Sequence, residues 1–254
     1  MTDRDRPSTE PYDVRSLSLT YHDGHKVASH RHEWAQLVYA SSGMMRVLAD
    51  GHVWLVPPTR AIWIPAGMEH QFNVRGEVAF RTLYVAPERS QSVERNIGAL
   101  EVSFFLGELI LHIHSRQMLD PRLPSHDRLA GVLVDLINDA PPIDLRLRLP
   151  NDARARLLAD HFQAQPADGS NLPCLAAKVG ASVRTLQRCF VAETGMGIDA
   201  WRQKARLIAS TASLSLGSSV TFAALECGYD SPSAYIAAFK RQFAMTPRQF
   251  ARMR

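Results

Sequence analysis

Residues 171–250 contain one sequence pattern twice, and this repeat constrains the fold more than any other feature of the chain. The first copy consists of Ala176, Gly180, Leu186 and Phe190. The second copy consists of Ala224, Gly228, Tyr235 and Phe239, so that the Ala and Gly positions recur after 48 residues and the last aromatic position after 49. A small Ala lets two helices approach closely, Gly accepts a positive φ where the first helix ends, and the large apolar residues form the buried face of the second helix. The repeat therefore predicts two helix-turn-helix motifs, at residues 172–193 and 220–243.

The second helix of each copy leaves polar side chains on its outer face. In the first copy Ser182 is a good N-cap, and the outward side chains are Arg184, Thr185, Gln187 and Arg188. The second copy offers a less informative set, Ser231, Ser233, Lys240 and Arg241. In a major groove Arg addresses guanine and Gln addresses adenine, and either can hold phosphate instead. We predict base reading mainly by the first copy. The alternative, an exposed helix whose arginines only confer solubility, is disfavoured by the duplication.

A further helix is predicted between the copies, from about residue 200 to about residue 214, with Asp199 as its cap. Trp201 begins its apolar stripe, and Arg202 lies outside the stripe as a further candidate DNA contact. A helix of about fifteen residues is roughly 22 Å long, which can help to set two recognition helices about one DNA turn, ~34 Å, apart. One chain can then read two successive major grooves.

The two copies resemble the DNA-binding domain of the AraC/XylS family of bacterial transcription regulators. The resemblance covers about the last hundred residues and rests on residues 175–190 and 228–250, in which the order and spacing of two motifs are fixed. It implies a sequence-specific regulator that acts as a homodimer on double-stranded operator DNA, with RNA polymerase as a further candidate partner. Activator and repressor both remain open. Ala244 departs from the pattern, because the family usually has Gly there.

The two halves of the chain differ in charge. Residues 146–254 carry a net charge of +8 and residues 1–145 a net charge of −4, within a total of +4. This asymmetry indicates that only the carboxyl-terminal half meets nucleic acid.

The cysteine content and the hydropathy of the chain indicate in which cellular compartment the protein is expected. Cys174, Cys189 and Cys227 form no close pair, which predicts thiols in a reducing environment rather than a disulfide framework. Residues 1–7 lack the apolar core of a signal peptide, and the longest apolar stretch, near residues 102–113, is interrupted by Glu108 and is too short for a bilayer. We expect a cytoplasmic protein with no membrane partner.

The amino-terminal part has a different texture, with short apolar runs punctuated by Gly and Pro. The runs are residues 36–40, 44–49, 52–56, 61–64, 71–74 and 78–85. They predict a small antiparallel barrel or sandwich, and the whole chain is then a multi-domain α+β protein, a jelly-roll-like barrel followed by an all-α domain. We place a sensor barrel at residues 1–89, a helical connector at 90–148 and the DNA-binding domain at 149–254.

Three histidines stand out within the predicted strands. His30 and His32 point to the same side of a strand, and His70 on a later strand can converge with them. Three imidazoles and one oxygen donor make a first shell suited to a divalent transition metal. Two other interpretations stay open: a metal-free polar pocket for a small effector, and histidines that serve only packing and hydrogen bonding.

These residues resemble the cupin fold. Its first motif is matched in every spacing by Gly24, His30, His32, Gln36 and Gly43, with Gln where the fold usually has Glu. Its second motif is matched by Pro65, Gly67 and His70, without the leading Gly. The resemblance implies His30, His32, Gln36 and His70 as ligands of a metal such as Zn, Ni, Mn or Fe, held less firmly because Gln is neutral. It also implies that the domain senses a small-molecule effector.

Several large side chains nearby are candidates for an effector pocket. Trp34, Trp54 and Trp63 can line it, although aromatic residues on barrel strands are more often core, and Arg46 can grip an anionic effector, as can Arg60 and Arg81. In the connector, an apolar stripe at helical spacing extends from Phe104 to Ile113. The resemblance to AraC/XylS regulators implies that this stripe carries the dimer contact; the alternative is that it packs across its own barrel.

Three classes of function are therefore distinguished. The first is the effector-sensing transcription regulator, which we expect not to be an enzyme. The second is a metal-dependent cupin enzyme, of oxygenase or isomerase type, fused to a DNA-binding domain; the missing Glu and the lack of an evident acid or base weaken it. The third is a protein that coats DNA without sequence preference.

Overall fold

The computed structural model describes residues 12–58 and 60–252, which form two compact units. Unit one, called here the sheet domain, extends to residue 50 and resumes over residues 54–145; unit two, the helical domain, comprises residues 51–53 and 146–252. Residues 1–7, on which the expected localisation rests, and residues 253–254 lie outside the described residues. Residues 90–145, predicted as a separate connector, belong to the same unit as the strands.

The sheet domain is built on antiparallel strands. The strands of the described chain are β1 (Val14–Tyr21), β2 (Lys26–His30), β3 (Ala35–Ala49), β4 (His52–Val56), β5 (Arg60–Ile64), β6 (His70–Val85), β7 (Gly98–Glu101), β8 (Met118–Leu119), β9 (Pro142–Ile143) and β10 (Arg146–Arg148). The main path of the sheet runs β8-β1-β6-β3-β5-β7-β9, with β2 also paired to β6 and β4 also paired to β3. The described helices of this domain are the short α1 (Pro87–Ser90) and the longer α2 (Phe104–Arg116) and α3 (Pro124–Asp139).

Two predicted breaks are not turns in the structure. The runs at 36–40 and 44–49 belong to the single strand β3, and those at 71–74 and 78–85 to the single strand β6. The register of this pair shifts between Ala40 and Met44, where Gly43 has a φ of 76°. The Gly signal therefore marks a bulge, which bends a paired strand without ending it.

The sheet has two faces with different environments. Leu37, Trp63 and Leu83 point to what we call the helix face, where they join one core cluster with Ile110 of α2 and Leu133 of α3. Gln36, which is next to Leu37 and pairs with Tyr84, points to the opposite face, called here the histidine face. The helices therefore cover one side of the sheet and leave the histidines on the other.

Only part of the predicted apolar stripe on α2 is buried. Leu109, Ile110 and Ile113 are buried against the sheet of their own domain, as the alternative interpretation expected. Phe104 and Phe105, however, are 72% and 59% exposed at the start of the same helix.

The helical domain contains both predicted motifs. Its helices are α4 (Ala153–Ala164), α5 (Leu172–Lys178), α6 (Val183–Thr194), α7 (Ile198–Ser215), α8 (Val220–Glu226), α9 (Pro232–Phe243) and α10 (Pro247–Arg252). Helices α5 and α6 form the first helix-turn-helix, and α8 and α9 the second. Helix α7 begins earlier than predicted, because Gly197 is its N-cap and Asp199 lies in its first turn.

Helix α7 holds the two motifs together. It packs against α4, α6, α8, α9 and α10. The fully buried Trp201 meets the ring of Phe190 at 5.6 Å and donates from Nε1 to the Arg148 carbonyl oxygen at 2.8 Å. Toward the second motif, the Tyr235 hydroxyl donates to Ser210 Oγ at 2.8 Å. Each motif is thus anchored on the same helix by one aromatic side chain with a satisfied polar group.

Within the part of the chain that the structure describes, no helix combines the length and the apolar character that crossing a membrane requires.

Candidate DNA interface and histidine cluster

Helix α6 separates a buried face from a polar outer face. Ser182 caps it as predicted, because its Oγ accepts from the Thr185 backbone N–H at 3.1 Å. Leu186 and Phe190 are fully buried. The exposed side chains on the outer face are Arg184, Gln187 and Arg188. The Thr185 hydroxyl is half-buried and lies 2.9 Å from Ser182 Oγ, so it also takes part in the cap.

Helix α9 repeats this arrangement with smaller outward side chains. Ser231 caps it by accepting from the Ala234 N–H at 3.2 Å, while Tyr235 and Phe239 are fully buried. Ser233, Lys240 and Arg241 are exposed, as are Ala234, Ile236 and Ala237. Lys240 and Arg241 lie in the last turn of α9, so the earlier turns of this helix present Ser233 and small or apolar groups, whereas α6 presents Arg184, Gln187 and Arg188.

Arg202 differs from the prediction. Its guanidinium group donates to the Asp168 carbonyl oxygen and lies 4.9 Å from the centre of the Phe162 ring. The side chain is half-buried, so its charge holds the loop before α5 against α4 and α7. We therefore remove Arg202 from the candidate DNA contacts.

The three predicted histidines converge. Ring nitrogens of His30, His32 and His70 lie within 4.8 Å of one another. Pairing of β2 with β6 sets His30 opposite His70, with ring centres 4.4 Å apart, and His32 follows in the turn before β3. Glu33 and Glu69, the neighbouring carboxylates, are exposed, and Glu69 accepts from Ser29 Oγ at 2.7 Å.

Hydrogen bonds fix the tautomer of each ring. The Nδ1 atoms lie 2.9, 2.6 and 2.8 Å from the carbonyl oxygens of Ala28, Trp34 and Met68, respectively. A carbonyl oxygen can only accept, so each neutral ring carries its proton on Nδ1 and a lone pair on Nε2. The Nε2 atoms of His32 and His70 are buried and have no hydrogen-bond partner within the described residues. Metal-ligating histidines are oriented in this manner.

Burial favours the neutral rings. It lowers the pKa of His70 to about 4, and it also lowers the pKa of His32. Both rings are therefore unprotonated at neutral pH, which is the form that binds metal.

Gln36 is the fourth predicted ligand, and it is completely buried on the same face. Its Nε2 donates to Thr82 Oγ1 at 3.0 Å, while its Oε1 has no hydrogen-bond partner in the described chain. The aromatic side chains around the rings are Phe72, 5.2 Å from His70, and Tyr84, 5.3 Å from His32. Thr82 was not among the predicted site residues. Its signal in the sequence is a polar interruption, Arg81 and Thr82, of the apolar run 78–85.

The predicted effector-pocket residues do not gather at the histidines. Trp34 contributes its carbonyl oxygen to His32. Arg46 pairs with Asn73 while its neighbour Val47 pairs with Phe72, so Arg46 lies on the opposite face from Phe72 and His70. Trp63 pairs with Leu37 and lies on the helix face, where it lines a cavity of about 300 Å³ with Ala35 and Arg95. Trp54 is buried in β4 at 4% exposure.

Two family models match the chain. The family described as AraC-like ligand binding domain matches residues 16–162, and the one described as helix-turn-helix domain matches residues 175–253. The HTH-type transcriptional regulator NimR of Escherichia coli (strain K12) is 31% identical over 221 residues, which cover 87% of this chain and 81% of NimR. RipA of Corynebacterium glutamicum, also an HTH-type transcriptional regulator, is 33% identical over 102 residues, covering 40% of this chain and 31% of RipA.

Among solved structures, ToxT from Vibrio cholerae aligns over 95% of this chain and 98% of its own, with 8% identity and a TM-score of 0.40. The carboxyl-terminal domain of AraT from Geobacillus stearothermophilus aligns over 41% of this chain and 87% of its own, with 23% identity and a TM-score of 0.38.

A ligand-binding sheet domain followed by a helical domain with two helix-turn-helix motifs defines a DNA-binding transcription regulator. The chain belongs to the AraC family of these regulators.

Proposed function

We propose that this regulator reads its operator mainly through α6 and senses its effector at a metal ion held by His30, His32 and His70. One observation carries the sensor part of the proposal: three ring nitrogens converge within 4.8 Å, and backbone carbonyls hold their Nδ1 protons away from the cluster. Histidines that served only packing would have no need of buried Nε2 atoms without a partner, because such atoms cost free energy.

The donor set suits a borderline divalent transition ion such as Zn, Ni, Mn or Fe. Three neutral imidazoles and the Gln36 amide oxygen would hold it, with no carboxylate of the described chain among them. When bound, such an ion supplies a Lewis-acidic centre that can hold an oxygen or nitrogen atom of the effector. The protein orients the rings through carbonyls, and Phe72 and Tyr84 limit access by water.

The test combines metal analysis with DNA binding by the full chain. The operator is first obtained by sequencing the fragments that the purified protein retains from random duplex DNA. His32→Ala is expected to lose bound metal and the response to effector while it keeps the wild-type affinity for the operator. His22→Ala, at a side chain that is 81% exposed, is the control and is expected to change neither. A His32→Ala protein with normal metal content and response would refute the sensor role.

Sequence preference separates this function from nonspecific coating of DNA. An operator-specific regulator is expected to prefer its own site over random duplex by roughly 10³-fold or more at physiological salt. Equal affinity for both would instead identify a coating protein.

The metal enzyme is the second candidate, because three histidines around an open position also suit a reactive ion. Within the described residues, however, no carboxylate is placed at the cluster to act as acid or base. Robust substrate turnover by the metal-loaded protein in the absence of DNA would favour the enzyme.

We further propose that the protein is a homodimer, paired through the exposed side of α2. This side carries Phe104, Phe105 and Leu111, which are 72%, 59% and 47% exposed. The acidic Glu108 precedes the basic Arg116 on the helix, so two antiparallel copies would bring opposite charges together around a twofold axis.

Such a dimer gives the effector a route to the DNA. An effector that binds one of two dimer arrangements more tightly shifts the population toward it, by no more than its difference in affinity. Only the arrangement whose helical domains match the operator spacing would bind well, and RNA polymerase is a further partner of the DNA-bound form.

A further inference from the structure

Thr82 connects the Gln36 amide to the backbone of β3. The Gln36 Nε2 atom lies 3.0 Å from Thr82 Oγ1, which in turn lies 3.1 Å from the Leu37 carbonyl oxygen. Both side chains have no exposed surface, so solvent does not compete for these bonds. The Gln36 amide, the Thr82 hydroxyl and the Leu37 carbonyl oxygen are thus linked in series by two hydrogen bonds.

The direction of these two hydrogen bonds is determined by proton counting. A threonine hydroxyl has one proton, and the Leu37 carbonyl oxygen can only accept it. Thr82 Oγ1 is therefore an acceptor toward Gln36 and must face the amide NH₂ group. The amide oxygen then faces the other way.

The Gln36 side chain lies on the histidine face, with its amide oxygen turned away from Thr82. Gln36 Oε1 is buried and has no hydrogen-bond partner within the described part of the chain. Gln36 pairs with Tyr84, and the centre of the Tyr84 ring lies 5.3 Å from that of His32 on the same face of the sheet. The opposite rotamer of the amide would instead turn an NH₂ group, which cannot bind a cation, toward the site.

We propose that Thr82 is a positioning residue of the metal site, which holds the Gln36 amide with its oxygen toward His30, His32 and His70. This inference rests on the proposed metal site. It adds a residue that touches neither metal nor effector yet decides whether the fourth donor is present, and it accounts for a hydroxyl buried in an apolar run.

The test is a double-mutant cycle in the full-length protein with Zn²⁺ affinity as the readout, measured against a competing chelator. Thr82→Val keeps the shape of the side chain but removes the acceptor, and it is expected to weaken Zn²⁺ binding about tenfold, as loss of an outer-shell partner does. Thr82→Ser keeps the hydroxyl and is expected to stay within about twofold of the wild type. In the Gln36→Leu background, Thr82→Val is expected to add no further loss.

Other results would overturn the inference. Equal loss for Thr82→Ser and Thr82→Val would assign the effect to the methyl group and its packing. A loss that persists in the Gln36→Leu background would show that Thr82 does not act through the amide, and an unchanged affinity of Thr82→Val would show that it does not act at all. A wild-type protein that binds no Zn²⁺ would overturn the metal site as well, so the two failures are distinguishable.

The absorption spectrum of the Co²⁺-loaded protein gives a second readout that a structural role would not move. Its bands report the donor atoms, so Thr82→Val is expected to resemble Gln36→Leu rather than the wild type. Wild-type bands in Thr82→Val would contradict the proposed role.

Discussion

Gly43 is the most crowded of the described glycines in the sheet domain. A Cβ atom there would lie 2.3 Å from the Glu77 carbonyl oxygen and 2.6 Å from Val78 Cγ2. The residue also has a φ of 76°, which disfavours any side chain. Two strands therefore approach each other at the bulge in a way that only glycine permits.

Gly43→Ala is expected to lower the free energy of unfolding by about 3 kcal/mol or more, because the strain of φ and the clash with backbone add together. Gly24→Ala is the matched control. Its φ is 78° but nothing lies within 4 Å of the added Cβ, so it should cost only about 1 kcal/mol. Urea unfolding measures both, and equal losses would contradict the role of the close approach.

Arg184 and Arg188 are the two exposed arginines of α6 on which the proposed base reading depends. If they address bases, replacement of either by Ala is expected to weaken operator binding by roughly 1–3 kcal/mol, with a smaller loss on a site altered at the matching base pair. Arg248→Ala, at an exposed arginine of α10, removes the same charge from a helix that is not a recognition helix and serves as the control. An equal loss on every DNA sequence would reassign the two arginines to phosphate.

Prediction of individual residues succeeded where the spacing of residues along the chain determined the result. It failed where the result depended on how the strands pair. His30, His32 and His70 were brought together by motif spacing. Arg46 lies on the face opposite the histidines, because the face on which a strand residue lies depends on the register with its partner, and the bulge at Gly43 shifts that register. Trp63 belongs to the core, as the alternative interpretation of the aromatic residues expected. Arg202 was misplaced because its loop partner, the Asp168 carbonyl oxygen, has no sequence signature.

At the scale of the elements, the two recognition helices end alike but with different residues. Gly195 follows α6 with a φ of 73°, and Ala244 follows α9 with a φ of 56°. The departure noted in the sequence therefore falls on a left-handed position, where a side chain costs free energy.

Ala244→Gly is expected to raise the free energy of unfolding by about 0.5–1 kcal/mol, since relief of strain exceeds the extra chain entropy of glycine. Gly195→Ala should lower it by about 1 kcal/mol at the equivalent place. Thermal unfolding compares the two. A destabilised Ala244→Gly protein would show that the alanine methyl group makes a compensating contact.

His114 on α2 makes the packing of this helix sensitive to acid. Burial, with a smaller effect of the positive charge of Arg81, lowers its pKa to about 4, and its Nδ1 lies 2.9 Å from Ser18 Oγ on β1. In the unfolded chain the ordinary value is near 6.5, so between pH 6.5 and about 4 the unfolded state binds the proton and the folded state does not. Stability from this residue is complete above pH 6.5 and is lost as the pH falls through that window.

His114→Gln is accordingly expected to lose less stability than the wild type between pH 7 and pH 5, as measured by urea unfolding. His22→Gln, at an exposed position, should behave like the wild type. If all three proteins lost the same amount, His114 would not be the source of the acid sensitivity.

For the molecule as a whole, the sequence predicted the classes of the sheet domain and of the helical domain but assigned residues 90–148 to a separate connector, whereas residues 90–145 belong to the sheet domain. Helical periodicity identified α2 and α3, and the buried side of each packs on the sheet. Periodicity does not say which partner covers an apolar stripe, so the same pattern was compatible with a dimer contact or with the domain's own core.

Substitutions at the exposed start of α2 test the proposed dimer contact. Phe104→Ser with Phe105→Ser is expected to shift the protein toward monomer at micromolar concentration in sedimentation experiments and to weaken operator binding, with unfolding little changed because both rings are exposed. Leu123→Ser, 47% exposed elsewhere in the domain, is the control. A double variant that sediments like the wild type would place the dimer contact elsewhere.

The unequal outer faces of α6 and α9 have a consequence for the genome that this regulator searches. Helix α6 offers two arginines and a glutamine, whereas α9 offers mostly hydroxyl and methyl groups before its last turn, where Lys240 and Arg241 lie. Binding sites aligned from many promoters should then show one segment with a well-defined sequence. A second segment, one turn of the DNA helix away, should tolerate almost any base pair. Base-pair changes in the first segment of the site would abolish binding, whereas changes in the second segment would have little effect. New target promoters could then be acquired by changing only a few base pairs.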